Sequence, residues 1–305
     1  MREKIGDIVL DYEYYCGRDM YSDGPVEDEL LEIAKLQLED YSQLISEKNS
    51  WPVLYHFSDI RQNIIDWIPM NPAADVLEIG AGCGAITGKL AQKAGKVTCI
   101  ELSKKRSYIN AYRNFQHHNI EIKVGNFQDI EQNLEEKYDF ITMIGVFEYA
   151  ASYIKGEKPY HEMLQRVGRH LKPGGKIIIA IENRLGLKYW AGCAEDHNGR
   201  FFEGLEGYTR EGGARTFSRK ELLKIFRELG GLKAEFYYPY PDYKFPLSIY
   251  SDEYLPKKGE LRNNFCNMDR RRLALFDETR VFDSLTEEKQ FPEFSNSFLI
   301  LLEKE

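Results

Sequence analysis

The run VLEIGAGCGAITGKLA, residues 76–91, takes an apolar strand straight into an amphipathic helix through Gly80, Gly82 and Gly84. Glycines at such a turn adopt backbone dihedrals that other residues resist, and they let the main chain come close to a ligand. Short apolar runs recur at ADVLEIG, KVTCIEL, IEIKVGN, YDFITMIG and KIIIAIE, separated by helix-like stretches. Buried strands alternating with helical crossovers are the signature of a parallel α/β sheet. KAEFYY and NSFLILLEK add a sixth and a last strand. The punctuation agrees with this count. The helix YHEMLQRVGRHL stops at KPGG just before the fifth strand. A later helix opens on FSRKEL, where Ser218 and Glu221 form a capping box and Phe217 can staple to Leu222.

The flanks of this core are less regular. Residues 1–50 are acidic and tyrosine-rich, with an amphipathic run whose apolar positions are Leu30, Ile33, Leu36 and Leu38. A second helix reads from Val53 to Ile68, with Leu54, Phe57, Ile60, Ile64 and Ile68 as its buried stripe and Pro69 closing it. Two connections, about 182–217 and 238–290, are longer than a sheet needs. Long loops tend to be functional or disordered, and the aromatic content of these two argues against disorder. They read as insertions.

The formal net charge of −8 argues against a chain built to grip phosphate backbones. The basic clusters Lys104-Lys105-Arg106 and Arg270-Arg271-Arg272 read as solvated helix faces. No stretch approaches the roughly 18 apolar residues of a membrane span, and no apolar leader opens the sequence. Five cysteines without a CxxC pair give neither a disulfide framework nor a zinc cluster. A reducing cytoplasm is the expected compartment.

Glu101, at the end of the second strand, is placed to hydrogen-bond vicinal ribose hydroxyls. The spacing in GAGCGA also satisfies a dinucleotide fingerprint, so the glycines alone leave a nicotinamide-dependent oxidoreductase open. Glu78 two residues before the first glycine, GNFQDI after the third strand, and the order of elements together resemble class I S-adenosylmethionine-dependent methyltransferases. The resemblance covers residues 53–181 and, more loosely, the last two strands. It implies a Rossmann-like seven-stranded, mostly parallel sheet with an antiparallel last strand, an N-terminal helical segment or lid over residues 1–50, and a methyltransferase domain over 51–305 carrying both insertions.

The resemblance also implies S-adenosylmethionine as cofactor, with S-adenosylhomocysteine as product. Gly80, Gly82 and Gly84 would lie under its methionine and ribose part, beside Glu78, and Glu101 would hold the ribose. Leu102, Asn126 and Phe127 would border adenine; the family often has Asp where this chain has Asn126. Ile144 and Gly145 would approach the reacting methyl. Tyr55 and Arg61 are candidates for the methionine end, where Arg61 can pair with a carboxylate or serve as a surface residue of its helix.

The acceptor is less legible. The fourth strand ends IGVFEYA and lacks the Asn/Asp-Pro-Pro-Tyr sequence that holds exocyclic base nitrogens in related enzymes. With the net charge, this weighs against a nucleic-acid methyltransferase, which stays as an alternative beside a non-catalytic S-adenosylmethionine-binding partner of a glycosyltransferase. Ligands of open α/β sheets bind beyond the carboxyl ends of the strands, so the acceptor side falls to the two insertions. GCAEDHNGRFFEGLEGY, residues 192–208, offers His197 as a general base, with Asp196 as the alternative and Glu148 after the fourth strand as a third. Tyr238, Tyr240, Tyr243 and Tyr250 form either a stacking wall or core. A metal on Cys193, Asp196 and His197 is not expected, since that mixed set within five residues is poor geometry for one ion. YSDGPVEDELLEI, IENRLGLKYWAGCAEDH and YPYPDYKFPLSIYSDEYLP are similar to bacterial methyltransferases associated with glycosyltransferases and cell-surface polysaccharide synthesis. The expectation is O-methylation of a saccharide or small molecule by in-line transfer with a general base, in a homo-oligomer or beside a glycosyltransferase.

Overall fold

The apolar alternation is realised in β3 (Asp75–Ile79), β4 (Lys96–Glu101), β5 (Ile120–Val124) and β6 (Tyr138–Ile144). In a computed structural model, which describes residues 1–209, 213–264 and 270–304, the chain divides into two compact units. The first comprises residues 1–143 and 166–176, the second residues 144–165 and those from 177 onward.

In the first unit the strand order is β1-β2-β5-β4-β3-β6. β3 pairs in parallel with β4 on one side and with β6 on the other, and β4 pairs in parallel with β5. The chain therefore steps outward from β3 in one direction and returns to its other flank. That reversal is the topological switch point where doubly wound sheets bind ligands. β1 (Arg2–Ile5) and β2 (Ile8–Asp11) form an antiparallel hairpin whose second strand pairs in parallel with β5. Residues 1–50 are thus not purely helical. These two strands were missed because they are short and their outer positions are polar.

In the second unit the order is β7-β10-β8-β9, drawn from β7 (Leu171–Glu182), β8 (Leu232–Tyr240), β9 (Ser248–Ser251) and β10 (Ser297–Lys304). β8 runs antiparallel to both β10 and β9. In place of the expected seven-stranded sheet the described residues hold ten strands: the seven read from the sequence, as β3–β8 and β10, together with β1, β2 and β9. β9 lies inside the 238–290 insertion. Residues 210–212 and 265–269 of the two insertions lie outside the described residues.

Two helix readings need correction. The helix Val26–Ala34 buries Leu30 and Ile33 but ends before Leu36 and Leu38, which are exposed. The expected helix over 53–68 breaks at Ser58 into Trp51–Phe57, a 3-10 turn Asp59–Gln62 and Asn63–Asp66, leaving Ile60 exposed. Ser58 is extended and its hydroxyl accepts from the Ile60 N–H, so it ends one helix and caps the next turn.

The tyrosines of the second insertion are core. Tyr238 is fully buried against Phe291 and Phe298, and Tyr240 packs on Phe282 while its hydroxyl donates to the Leu261 carbonyl. Tyr250 stands edge-on to Phe291. None of these three forms a stacking wall. The helix Arg219–Leu229 carries the expected capping box, with Ser218 accepting from the Glu221 N–H and the Glu221 carboxylate accepting from the Ser218 N–H. Ser218→Ala should destabilise the chain by about 1 kcal/mol, as loss of a helix cap does; urea denaturation measures it, and an unchanged midpoint would show the cap to be redundant with the Arg184–Glu221 ion pair.

Candidate functional site

The end of β3 builds the first half of the site. Gly80, Gly82 and Gly84 all have positive φ, at 72°, 55° and 78°. The loop is tied to β4 by Glu101, which is buried and accepts from the Gly82 N–H at 2.7 Å and from the Ser103 N–H at 2.9 Å. Gly84 has a packing reason of its own. A Cβ there would come within 2.4 Å of Asn110 Oδ1 and 2.5 Å of Asn114 Nδ2, so the helix Lys104–Arg113 rests directly on the turn.

Glu78 points into this network, accepting from Thr87 Oγ1 at 2.6 Å and Cys99 Sγ at 3.4 Å. Burial pushes its carboxyl up to about 7 despite those two donors. Asn126 caps the short helix Phe127–Ile130, its side-chain oxygen accepting from the Gln128 N–H. Phe127 is buried beside it, and Leu102 is half-buried.

Arg61 is buried, not a surface residue. Its guanidinium lies 3.9 Å over the Tyr55 ring and donates to the Tyr55 carbonyl at 3.3 Å, while its Nε has no hydrogen-bond partner. A buried guanidinium with a free donor is suited to a carboxylate. Arg106 also departs from the reading of a solvated face. Its side chain is largely buried, 3.1 Å from Asp23 and 3.6 Å from Glu27, and it lies beside Gly82. These contacts tie Asp23 and the first turn of the helix Val26–Ala34 to the residue beside the glycine loop. His56 completes the cluster at 3.3 Å from Asp23; burial holds it neutral, down to about 4.

A second cluster occupies the other unit. His197 Nε2 lies 3.5 Å from Glu148 Oε1 and 4.0 Å from Glu182 Oε2, and its Nδ1 is 2.9 Å from Glu195 Oε1. Glu195 is itself fixed, accepting from the N–H groups of His197 and Asn198 at 2.8 Å each. Burial alone would lower His197, but Glu148, Glu195 and Glu182 outweigh it and raise it well above the usual imidazole range. These carboxylates favour the protonated ring over the free imidazole that a general base requires.

Asp196 is engaged differently. It lies 2.9 Å from Lys188 Nζ and 2.5 Å from Lys244 Nζ, and it accepts from the Tyr189 hydroxyl at 2.5 Å. Burial would raise its carboxyl; the two ammonium groups hold it well below the usual range. Both carboxylate oxygens are engaged, Oδ1 by Lys244 and Oδ2 by Lys188 and Tyr189. Glu148 is buried, its Oε2 has no hydrogen-bond partner, and burial raises its carboxyl.

Glu182, which the sequence reading missed, sits at the end of β7, 2.9 Å from Lys244 and accepting from the Tyr243 hydroxyl at 3.2 Å. Its position at a strand's carboxyl end beside Asn183 was the available signal. Gly145 belongs to this neighbourhood, since a Cβ there would come within 2.8 Å of the Tyr243 hydroxyl. Ile144 is half-buried beside it. Among the described residues Cys193 joins no metal-ligating group; the set that converges is Glu148, Glu182 and His197.

Residues 77–177 match a family model described as a methyltransferase domain, Methyltransf_12. The glycine turn and the acid that ends β4 both lie inside the matched residues. The chain is similar to a trans-aconitate 2-methyltransferase of Deinococcus radiodurans, 25% identical over 135 residues, covering 43% of this chain and 48% of that protein. It is 21% identical over 172 residues to a ubiquinone biosynthesis O-methyltransferase of Nitrosospira multiformis, covering 55% and 69%. A solved structure of phosphoethanolamine N-methyltransferase 1 of Haemonchus contortus, in complex with phosphoethanolamine and S-adenosylhomocysteine, aligns at 15% identity and a TM-score of 0.49, over 92% of this chain and 48% of that one. The chain thus spans about half the length of the first of these relatives. No helix among the described residues is long and apolar enough to cross a membrane.

Glu78 makes stability depend on pH. Its carboxyl ionises near 4.5 when unfolded and near 7 when folded, so the stability it contributes is full below pH 4.5 and is lost as pH rises through about 7. His56 acts in the opposite direction, losing stability as pH falls from 6.5 towards 4. The difference between wild type and Glu78→Gln isolates the first effect. Without cofactor, the variant should gain about 3 kcal/mol relative to wild type between pH 4.5 and 8. Parallel curves would show that Glu78 is already ionised in the folded chain.

Proposed function

We propose that the chain is a methyltransferase that moves the methyl group of S-adenosylmethionine to an oxygen of a small, hydroxyl-bearing acceptor. S-adenosylmethionine supplies a methyl activated on a sulfonium. The residues of the first unit suit its binding: Gly80, at positive φ, leaves the start of the turn exposed, Glu101 offers carboxylate oxygens at the end of β4, and Arg61 holds a buried unpartnered donor for a carboxylate. Asn126 and Phe127 border the adenine side in this reading, with Leu102.

The observation that carries the choice of oxygen is the Glu148–Glu182–His197 cluster. Two buried carboxylates, each with one oxygen lacking a hydrogen-bond partner, surround an imidazole. A hydroxyl must lose its proton as it is methylated, and groups within hydrogen-bond reach are what that step requires. The Nitrosospira multiformis relative is by name an O-methyltransferase, which favours the same element. Carboxylates that accept hydrogen bonds suit an acceptor with several hydroxyls. A saccharide is the acceptor class we favour, on the similarity of residues 21–33 and 181–197 to methyltransferases associated with polysaccharide synthesis.

Calorimetry with S-adenosylhomocysteine should show binding at micromolar concentrations, weakened about 10- to 100-fold by Arg61→Ala or Glu101→Gln through loss of a charged hydrogen bond. No binding to the wild-type chain would remove the cofactor assignment. With an acceptor found by screening sugars and phenols, Glu148→Gln should lower kcat about 10²- to 10⁴-fold while leaving S-adenosylhomocysteine affinity intact. An unchanged kcat would dismiss the cluster's part in proton removal.

A further inference from the structure

The sequence scatters Glu148, Glu182 and His197 over the end of β6, the end of β7 and the loop that follows, yet one ligand atom from each lies within 4.8 Å of the others. From this convergence we propose that the three side chains form a binding site for one divalent cation of the Mn²⁺ or Zn²⁺ class.

The donor set is one imidazole nitrogen and two carboxylate oxygens. Carboxylates suit Mn²⁺ and imidazole suits Zn²⁺. Three protein ligands leave coordination positions open, as catalytic metal sites do. Ligand bonds to such ions run about 2.0–2.2 Å, which puts neighbouring donor atoms about 3–3.5 Å apart. The 3.5 Å between His197 Nε2 and Glu148 Oε1 matches that spacing, and the 4.0 Å to Glu182 Oε2 needs only a small side-chain rotation.

A second observation is independent of the spacing. Glu148 and Glu182 are essentially fully buried, and Oε2 of each has no hydrogen-bond partner. A buried carboxylate oxygen without a partner costs free energy unless something cationic meets it. The surroundings hold the ligands in place. Glu195 takes the Nδ1 side of His197 and so turns Nε2 towards the two carboxylates, the arrangement that orients metal-binding histidines. Lys244 and the Tyr243 hydroxyl hold Oε1 of Glu182, which leaves Oε2 facing the ring.

Charge points the same way. With the imidazole neutral, Glu148, Glu182, Glu195, Asp196 and Asp242 are five carboxylates. They face Lys188, Lys244 and Arg270, whose Nε donates to the Asp196 carbonyl at 2.6 Å. Two negative charges remain, which a divalent cation balances. Without metal the ring proton offsets one of the two; on metal binding it leaves to solvent. A cation here would hold the acceptor's oxygen and acidify its hydroxyl. That catalytic role rests on the methyl-transfer reading above, whereas binding of the ion does not.

The test uses the full chain, stripped with a chelator and titrated with Mn²⁺ by electron paramagnetic resonance and with Zn²⁺ by calorimetry. The wild type should take up one equivalent. Glu195→Gln should bind about 10- to 100-fold more weakly, as loss of a ligand-orienting carboxylate does. His197→Ala and Glu148→Gln should lose the site. S-adenosylhomocysteine affinity, measured on every sample, reports whether the cofactor unit is intact, and Glu148→Gln answers the question should His197→Ala not fold. A wild-type chain that binds S-adenosylhomocysteine but takes up neither ion overturns the metal site and leaves the methyltransferase reading standing. Uptake unchanged in both variants also overturns it. Ion binding without S-adenosylhomocysteine binding supports the metal site and removes the cofactor assignment instead.

Discussion

The missing Cβ of Gly84 is the constraint on which the first unit turns. Because nothing projects there, Asn110 and Asn114 close on the loop, and a continuous polar relay forms behind it. Asn114 Nδ2 donates to the Gly84 carbonyl at 3.1 Å and to Asn110 Oδ1 at 2.9 Å; Asn110 Nδ2 donates to Thr87 Oγ1 at 3.0 Å; Thr87 donates in turn to Glu78. Each of the four side chains in this relay has a partner, so the relay leaves no buried polar group orphaned behind the turn. Its effect is to fix the turn from behind while Glu101 fixes it from β4. The glycine loop is thus held open by its supports, with its backbone in the positive-φ region, before any ligand arrives.

The second unit depends on a different economy of charge. Burying Asp196 between Lys188 and Lys244 is tolerable only because two ammonium groups and a tyrosine hydroxyl replace the water it loses. Lys244 is shared, since it also pairs with Glu182. Oε2 of Glu182 and Oε2 of Glu148 have no hydrogen-bond partner beside His197. A fold selected only for stability would have replaced these carboxylates with apolar groups of similar volume, often a neutral or favourable exchange. Here they stay charged side chains, buried beyond the end of β6 and at the end of β7, each with one oxygen that has no hydrogen-bond partner.

Much of this architecture was legible in the sequence because its signals are local. The β3 turn, the strand periods and the Ser218–Glu221 box depend on neighbours within a few residues. What escaped was set by contacts between distant segments. β1 and β2 have no long apolar run, and β2 is a strand because it pairs with β5. Ser58 interrupts a good helical stripe, which no periodicity reveals. An imidazole ordinarily titrates in the range of a base; Glu195 beside it, Glu148 after β6 and Glu182 at the end of β7 raise that of His197. Tyr238 and Tyr240 alternate along β8 in the manner of any strand, and only the placement of Phe282, Phe291 and Phe298 shows that they face a core. Glu182 was passed over, although it stands at the carboxyl end of β7, because the partners that mark it, Tyr243 and Lys244, lie far along the sequence.

The first fifty residues show why a boundary drawn by composition differs from one drawn by contacts. Leu30, Ile33, Ala34 and Tyr41 share one apolar cluster with Val53, Phe57, Cys83 and Ile109. Cys83 belongs to the glycine turn itself, and Ile109 to the helix resting on it. Arg106 adds its ion pairs to Asp23 and Glu27, and Glu27 is itself almost completely buried. Removing the segment would uncover part of the turn's packing and leave a buried guanidinium without its counter-ions, a costly state for an interior charge. The segment is therefore a structural wall of the loop, bound by the same two forces, apolar burial and paired charge, that hold the loop to the sheet.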